Sequence, residues 1–335
     1  MTANLQIVGA KNSARVLSQP LPTHAKFVVS RATARLFFSS ELIWLFAGVL
    51  FRMPKVESYG FKPTLGRRAI RIFCKTIIGL LRLNGRSKFS NEFMQLLDPK
   101  IEIKFEDQTL RFRTGNGRLL WRARTILTEE PLMINWIQSL SSDDIVLDIG
   151  SNVGMYAVPI AKKVQIVYAC ELDPLNIAIL KENLYLNSVV DNVIILPFAC
   201  GGSAEIVNVK FRDLAYGDAL QLIDGGDPQD TRFGSRTHSS SVIQFSLDEL
   251  FAQLKLRLPN KIKIDVDGNE HTVLQGTKRL ISGASEIYFE DSMSEACREV
   301  TDYLMSSGFH EFESLNMISK NNKNEITGVN RIFKK

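Results

Sequence analysis

The sequence predicts an α/β protein built on a mostly parallel sheet, and three observations support this class. Short β-forming runs recur at 145–149, 164–170 and 261–264, the first two mainly apolar and the third an alternation of Lys and Ile. Segments in which apolar residues follow helical spacing come after the first two runs. Each run contains an acidic residue near its end or is followed directly by one, so carboxylates should gather where parallel strands finish.

Composition divides the chain into two parts. The chain has 335 residues, which exceeds the length of one average domain. It is 45% apolar and 23% charged, a composition typical of globular proteins. Residues 1–100 contain 16 Lys and Arg against 4 Asp and Glu, whereas the remainder contains 25 against 32. We therefore predict a basic, partly helical N-terminal extension over 1–100, with a poorly packed start, and an α/β domain over 101–335.

Two segments of the extension raise the question of a membrane. Leu42 to Phe51 is uncharged but falls short of the roughly twenty residues that a span needs, so we predict a buried or interfacial helix. Arg67 to Arg86 alternates basic and apolar residues, and such a helix either packs with a solvated basic face or lies on an anionic membrane surface. Four scattered cysteines fit a reducing compartment, so we expect a cytoplasmic protein with peripheral membrane contact as an open alternative.

The turn after the first run carries the main functional signal. Asp148 ends the apolar run, and Gly150 and Gly154 bracket a turn into a helical segment, where the absence of a Cβ would let a ligand approach the backbone. The spacing matches neither a dinucleotide fingerprint nor a phosphate loop. A carboxylate beside the turn favours a positively charged ligand without phosphate. S-adenosylmethionine, with an ammonium and a sulfonium, fits that description, although a generic strand-to-helix turn stays an alternative.

The second and third strands extend the same site. Glu171 follows the second run, 23 residues after Asp148, where a carboxylate can accept hydrogen bonds from both hydroxyls of a ribose. Its other interpretation is a charge that favours the following helix, from Asp173 to about Leu186. A third strand is predicted at 192–197, and the small residues from Ala199 onward would leave room for an adenine ring.

The remaining elements complete the predicted sheet and its surroundings. A β-hairpin and then a helix precede the first run, and residues 203–245 interrupt the alternation with a polar insert that could cover the substrate side. The predicted positions are 101–105 and 109–114 for the hairpin, 129–140 for the helix, 205–211 and 242–245 for strands in the insert, and 285–291, 310–312 and 326–333 for the last strands, the final one antiparallel.

Three motifs in this order resemble those of the FkbM methyltransferases. They are Asp148 to Gly154, Glu171 with its helix ending at 182–187, and Lys263 to Glu270, and the resemblance covers roughly 127–290. It implies a Rossmann-like class I fold, with a seven-stranded sheet and helices on both faces, and S-adenosylmethionine-dependent methylation of hydroxyls on sugars, glycolipids or secondary metabolites. Two departures are Ser151, where the family more often has Ala, and Asp267, where it more often has Glu.

Site residues follow from the resemblance and from the acidic cluster after the fourth strand. The cofactor-binding residues implied are Asp148, Gly150, Ser151, Asn152 and Gly154 around the methionine part, Glu171 at the ribose and Ala199 at the adenine. Clustered carboxylates indicate a functional site, so Asp265 or Asp267 is the predicted general base, with Glu270 and Glu290 as weaker candidates. A divalent ion bridging Asp265 with Glu290 or Asp291 is also open.

Two other functions compete with this one. The basic extension and the 182–187 helix would suit an RNA methyltransferase, but acidic strand ends would repel a phosphate backbone, so we expect a small-molecule or glycan acceptor rather than nucleic acid. The second competitor is a non-catalytic module that binds a nucleoside or a membrane.

Overall fold

The computed structural model describes residues 69, 72–76, 79, 98–219, 221–223, 238–266, 268–318 and 325–335. The strands are β1 (Lys100–Phe105), β2 (Gln108–Arg113), β3 (Ile145–Ile149), β4 (Ile166–Cys170), β5 (Val193–Leu196), β6 (Ala199–Cys200), β7 (Glu205–Phe211), β8 (Leu222–Ile223), β9 (His238–Phe245), β10 (Lys261–Ile264), β11 (Glu286–Asp291), β12 (His310–Ile318) and β13 (Ile326–Lys334). The helices are α1 (Gly117–Thr125), α2 (Pro131–Ser139), α3 (Ala157–Ala161), α4 (Pro174–Leu186), α5 (Leu247–Leu254), α6 (Glu270–Gln275), α7 (Lys278–Gly283) and α8 (Glu295–Ser306).

The predicted seven-stranded, mostly parallel sheet is confirmed. Its order is β12-β13-β11-β10-β3-β4-β5, in which the five strands from β11 to β5 run parallel and β13 and β12 are antiparallel. Strands β4 and β5 extend the sheet to one side of β3, whereas β10 and β11 extend it to the other. The strand order therefore reverses between β3 and β10, and a ligand crevice is expected beyond the carboxyl ends of these two strands.

Helices cover both faces of the sheet, as predicted. Ile145, Leu147 and Ile149 of β3 pack in one apolar core, together with buried residues of α5 to α8. Val146 belongs to the opposite core, with buried residues of α1 to α4. This alternation follows from the two-residue repeat of a strand, and it buries every residue of β3.

The polar insert forms a small second sheet. Strand β7 pairs antiparallel with β9 and with the short β8, and β6 joins parallel to β9. Strand β7 has the predicted bounds, whereas β9 begins four residues before the predicted 242. Residues 224–237 of the insert lie outside the described part of the chain.

The chain divides into two compact units, Met1–Val56 with Leu65–Ile77 and Glu57–Thr64 with Ile78–Lys335. The described residues of the first unit, 69 and 72–76, are helical. The prediction for Leu42 to Phe51, and most of the one for Arg67 to Arg86, falls outside the described residues. In the part of the chain that is described, no helix is long and apolar enough to cross a bilayer.

Candidate active site

A cleft of about 760 Å³ opens at the carboxyl ends of the central strands, where the strand order reverses. We call it the strand-tip cleft. Gly150 after β3, Glu171 after β4, Asp265 after β10 and Glu290 at the end of β11 all line it. These four residues, predicted at one site on separate strand ends, come together in the structure.

Gly150 is required where two strand ends cross. Its φ is +86°, and a Cβ built on it would lie 1.8 Å from the carbonyl oxygen of Asp265. At Gly154, with φ +79°, a Cβ would lie 2.5 Å from the Leu180 side chain of α4. Both glycines were predicted to let a ligand approach the backbone. In the structure, the Asp265 backbone and the Leu180 side chain of α4 are what exclude a side chain at these positions.

A buried lysine lies between the acidic residues of the cleft floor. Lys263 of β10 is paired in register with Asp148 of β3, and its Nζ lies 3.1 Å from the Asp148 carboxylate and 2.8 Å from that of Asp265. Burial alone would lower the pKa of Lys263, but the charges of Asp148 and Asp265 raise it above its ordinary value, so the side chain is an ammonium. The cluster predicted as purely acidic thus contains its own counter-charge.

Asp148 is therefore enclosed in the protein. It is 0% exposed and does not line the strand-tip cleft. The expectation that Asp148 contacts the methionine part of a cofactor needs correction, because its carboxylate faces Lys263. That lysine also approaches the carbonyl oxygen of Gly150 at 3.4 Å, so Asp148 acts on the turn through Lys263.

Glu171 connects the strand-tip cleft to a narrower inner pocket. The inner pocket is lined by the apolar side chains of Ile149, Leu172, Phe198, Ala199, Ile223 and Val266, and it shares Gly150, Glu171 and Gln221 with the cleft. Burial raises the pKa of Glu171 to about 7, although the backbone N–H of Asp173 donates to its carboxylate at 2.7 Å. A carboxylate beside an apolar slot fits a ribose next to a flat purine base.

A loop of the insert lies over the turn after β3. Asn152, in a left-handed conformation with φ 49°, donates through Nδ2 to the carbonyl of Asp218 at 2.8 Å, and Asn176 of α4 donates to the same carbonyl at 2.9 Å. The carboxylate of Asp218, 0% exposed, accepts from Arg118 of α1 at 2.7 Å and from Arg212 at 3.0 Å. The loop is thus anchored on both sides.

The end of this loop reaches the cofactor side of the cleft. Ala219 and Gln221 line the strand-tip cleft. Asn269 donates to the carbonyl of Gln221 at 2.9 Å and accepts from the N–H of Ile223 at 3.2 Å. The described part of the insert therefore reaches the cofactor side as a backbone segment held by asparagines, with Gln221 lining both cavities, and the predicted cover of the substrate side stays a prediction.

The opposite wall of the cleft has a different character. Strands β12 and β13 contribute apolar and amide or hydroxyl side chains, and α1 adds an aromatic and a basic residue. These residues are Leu315, Asn316, Met317, Ile318, Thr327, Asn330, Trp121 and Arg122. We call this set the acceptor wall.

Comparison with known proteins agrees with this geometry. The family described as Methyltransferase FkbM domain matches residues 148–311, from the end of β3 into β12. Residues 148–311 belong to the FkbM methyltransferase family. The protein is an S-adenosylmethionine-dependent methyltransferase, as the motifs predicted.

The share of each relative's own length that this methyltransferase matches differs widely. A hexuronic acid methyltransferase, AglP of Haloferax volcanii, is 25% identical over 194 residues, which are 58% of this chain and 75% of AglP. A tRNA (guanine(37)-N(1))-methyltransferase of Phytophthora infestans is 33% identical over 108 residues, only 25% of that protein. A solved methyltransferase FkbM from Methylobacillus flagellatus is 13% identical, with 64% of this chain and 59% of that one covered and a TM-score of 0.38.

The other predicted residues of the FkbM domain have varied positions. Asn152 lines the strand-tip cleft and Ala199 lines the inner pocket. Ser151 is buried, and its Oγ donates to the carbonyl of Asp148 at 2.9 Å, so it stabilises the turn instead. Glu270 is buried at the start of α6, accepts from the N–H of Gly268 at 3.1 Å and is absent from the cleft lining. Asp267 lies outside the described residues.

The alternative of a divalent ion concerned Asp265, Glu290 and Asp291. Asp291 accepts from Arg331 at 2.9 Å, and Asp265 pairs with Lys263. Within the described residues, no group of three or more His, Cys, Asp and Glu side chains converges as a metal-binding set.

Glu130 lines the cleft but was not predicted from the sequence. It precedes Pro131 at the start of α2 and lines the strand-tip cleft beside Gly150 and Asp265. Tyr288 of β11 donates to its Oε2 at 3.4 Å, and the hydroxyl of Tyr156 also hydrogen-bonds to it. A glutamate before a proline reads simply as a helix start, and no local pattern shows that it reaches the strand ends.

Proposed function

We propose that this enzyme methylates a hydroxyl group of a sugar or glycan. The observation that carries the proposal is the composition of the strand-tip cleft, in which the cofactor side holds Gly150, Asn152 and Glu171 and the acceptor wall lies opposite. A site with an apolar lining and a few convergent polar groups is typical of small-molecule binding. Trp121 offers a flat apolar surface, while Asn316, Thr327 and Asn330 offer hydrogen bonds to hydroxyls.

The cofactor's contribution is a methyl group on a sulfonium, already activated for displacement by an acceptor oxygen. The chain's part is to hold the two reactants in line and to accept the acceptor's proton. Glu171 would hold the ribose and the inner pocket the adenine. Lys263 contacts both the carbonyl oxygen of Gly150 and the carboxylate of Asp265. These contacts would fix the relative positions of the two segments that form the cofactor side of the cleft.

The charge of the cleft supports a sugar over RNA. The described residues that line it include five carboxylates and a single guanidinium. The guanidinium is that of Arg122, and the carboxylates are those of Glu129, Glu130, Glu171, Asp265 and Glu290. Phosphate backbones are bound by several cations, because each contact replaces a condensed counterion. One guanidinium suits instead the single carboxylate of an acidic sugar, and the named substrate of AglP, a hexuronic acid, is of that kind.

The test is a transfer assay with a labelled methyl group on the donor. The acceptors are an oligosaccharide containing a hexuronic acid, a neutral oligosaccharide of the same length and unmodified tRNA. We expect label in a sugar methyl ether, with the acidic oligosaccharide preferred, and none in tRNA. Label in a tRNA base, or in no saccharide, would overturn the proposal.

A further inference from the structure

Glu130 lines the strand-tip cleft together with residues from both sides of the boundary between the cofactor floor and the acceptor wall. Gly150 and Asp265 belong to the floor and Arg122 to the acceptor wall, and the charges of Asp265 and Arg122 both act on the Glu130 carboxyl. A methyl group passes from donor to acceptor at this boundary. A group positioned here can reach the acceptor atom without leaving the donor's vicinity.

The surroundings hold the Glu130 carboxylate in place. The hydroxyls of Tyr156 and Tyr288 hydrogen-bond to it from the α3 side and from β11. Tyr288 is itself fixed by packing against Trp136 of α2, with ring centroids 5.7 Å apart. Two tyrosine hydroxyls thus hold the side chain of a glutamate that also lines the cleft.

We propose that Glu130 is the general base of the methyl transfer, an inference that rests on the proposed O-methylation. The acceptor O–H bond breaks and its proton goes to the Glu130 carboxylate. The oxygen's electron pair forms the new C–O bond to the methyl carbon as the C–S bond breaks and its pair returns to sulfur. The products are a methyl ether and a neutral thioether, and Glu130 then releases the proton to solvent.

Contacts within the protein favour Glu130 over Asp265 and Glu171. Asp265 is bonded to the Lys263 ammonium at 2.8 Å. Glu171 lies at the mouth of the inner pocket, and its carboxylate accepts from the backbone of Asp173. Glu290 lines the cleft from the outer strand side, and a variant of it therefore belongs in the test.

The protonation behaviour of Glu130 is consistent with this role. Burial raises its pKa to about 7, helped by the negative charge of Asp265, while Lys263, Tyr156 and Arg122 act in the opposite direction. A base whose pKa lies near the working pH is largely deprotonated, and it is still basic enough to accept the proton of the acceptor hydroxyl. The rate of methyl transfer should therefore rise with pH up to about 7.

The experiment compares kcat and donor-product binding in Glu130→Gln, Glu290→Gln and the control Glu295→Gln. Glu295 lies in the first turn of α8, so the control also removes a carboxylate at a helix start. The readouts are kcat for the saccharide acceptor from pH 5.5 to 9, calorimetric binding of S-adenosylhomocysteine, and thermal unfolding. We expect Glu130→Gln to lose about 10²- to 10⁴-fold in kcat and the acidic limb of the profile, with binding within about threefold of the parent. The control should match the parent.

Each other outcome overturns the assignment. An unchanged acidic limb in Glu130→Gln refutes it, and loss of the limb in Glu290→Gln transfers the role to Glu290. Weaker S-adenosylhomocysteine binding with an unaltered pH profile would make Glu130 a cofactor ligand. If Glu130→Gln unfolds, Glu130→Asp replaces it, with a reduced kcat and a retained limb expected. A parent enzyme that makes a methyl ester or methylates nitrogen refutes the proposed function, and the base with it, whereas ether formation by Glu130→Gln with the kcat of the parent refutes the base alone.

Discussion

Replacing Lys263 by Met should destabilise the protein strongly, because the lysine is the counter-charge of a buried carboxylate. Lys263 is 1% exposed and Asp148 0% exposed, with the ammonium 3.1 Å from the carboxylate. Breaking a buried ion pair by removing one partner costs about 3–5 kcal/mol, because it leaves an uncompensated charge. Lys263→Met should therefore lower the free energy of unfolding by that amount in urea denaturation. The double variant Lys263→Met with Asp148→Asn should recover part of the loss, since the fully buried charge of Asp148 is then removed as well.

Lys261→Met provides the matched control on the same strand. Lys261 pairs with Glu286 at 2.6 Å, but Lys334 lies 3.6 Å from the same carboxylate and would continue to compensate it. We expect this variant to lose about 1 kcal/mol or less. A loss in Lys263→Met no greater than in Lys261→Met would refute the interpretation of Lys263 as the buried counter-charge.

Three further predictions concern the turn, the acceptor and pH. Gly150→Ala should lose about 2–4 kcal/mol of unfolding free energy, because of strain at positive φ and overlap with Asp265. Gly283→Ala, which has open space around its Cβ, should change that free energy by less than about 0.5 kcal/mol, and equal losses in urea denaturation would contradict this. Arg122→Gln should raise KM for an acidic saccharide about tenfold and leave KM for its neutral analogue unchanged; equal effects on both in the transfer assay would show that Arg122 does not bind the carboxylate. Donor binding should need Glu171 as a carboxylate, and the pKa of Glu171 is raised to about 7. The donor's Kd in calorimetry should therefore rise about tenfold for each pH unit below 7 and stay constant above pH 7. A Kd that is constant over the whole pH range would contradict the ribose assignment.

The sheet could be predicted because its strands are short apolar runs that end in recognisable residues. Strands β3, β4, β10 and β11 were each predicted within two residues of their bounds. Strands β3 and β4 have the nearly continuous apolar sequence of a buried parallel strand, whereas in β10 lysine and isoleucine alternate. Strand β8 has only two residues and was missed, because its conformation depends on Asn269 and on pairing with β7.

The site was predicted only in part, for reasons that lie in the tertiary structure. Asp265, Glu171 and Glu290 follow strand ends, and the topology of a parallel sheet brings such positions together. Lys263 had a signal that was available, a charged residue inside an apolar strand, but its pairing with Asp148 depends on the register of β10 against β3. Glu130 and Asp218 precede or follow elements that approach the cleft only in the folded protein, so no spacing in the sequence identifies them.

The central claim is that the strand-tip cleft and inner pocket hold a methyl donor, with Glu171 at its ribose. Calorimetric titration of S-adenosylhomocysteine into the parent protein and into Glu171→Ala tests it most directly. We expect one site in the parent and at least tenfold weaker binding in the variant, because hydrogen bonds to a charged group contribute about 1.5–3 kcal/mol. Folded parent protein that takes up no ligand, or a variant that binds as tightly as the parent, would contradict the claim.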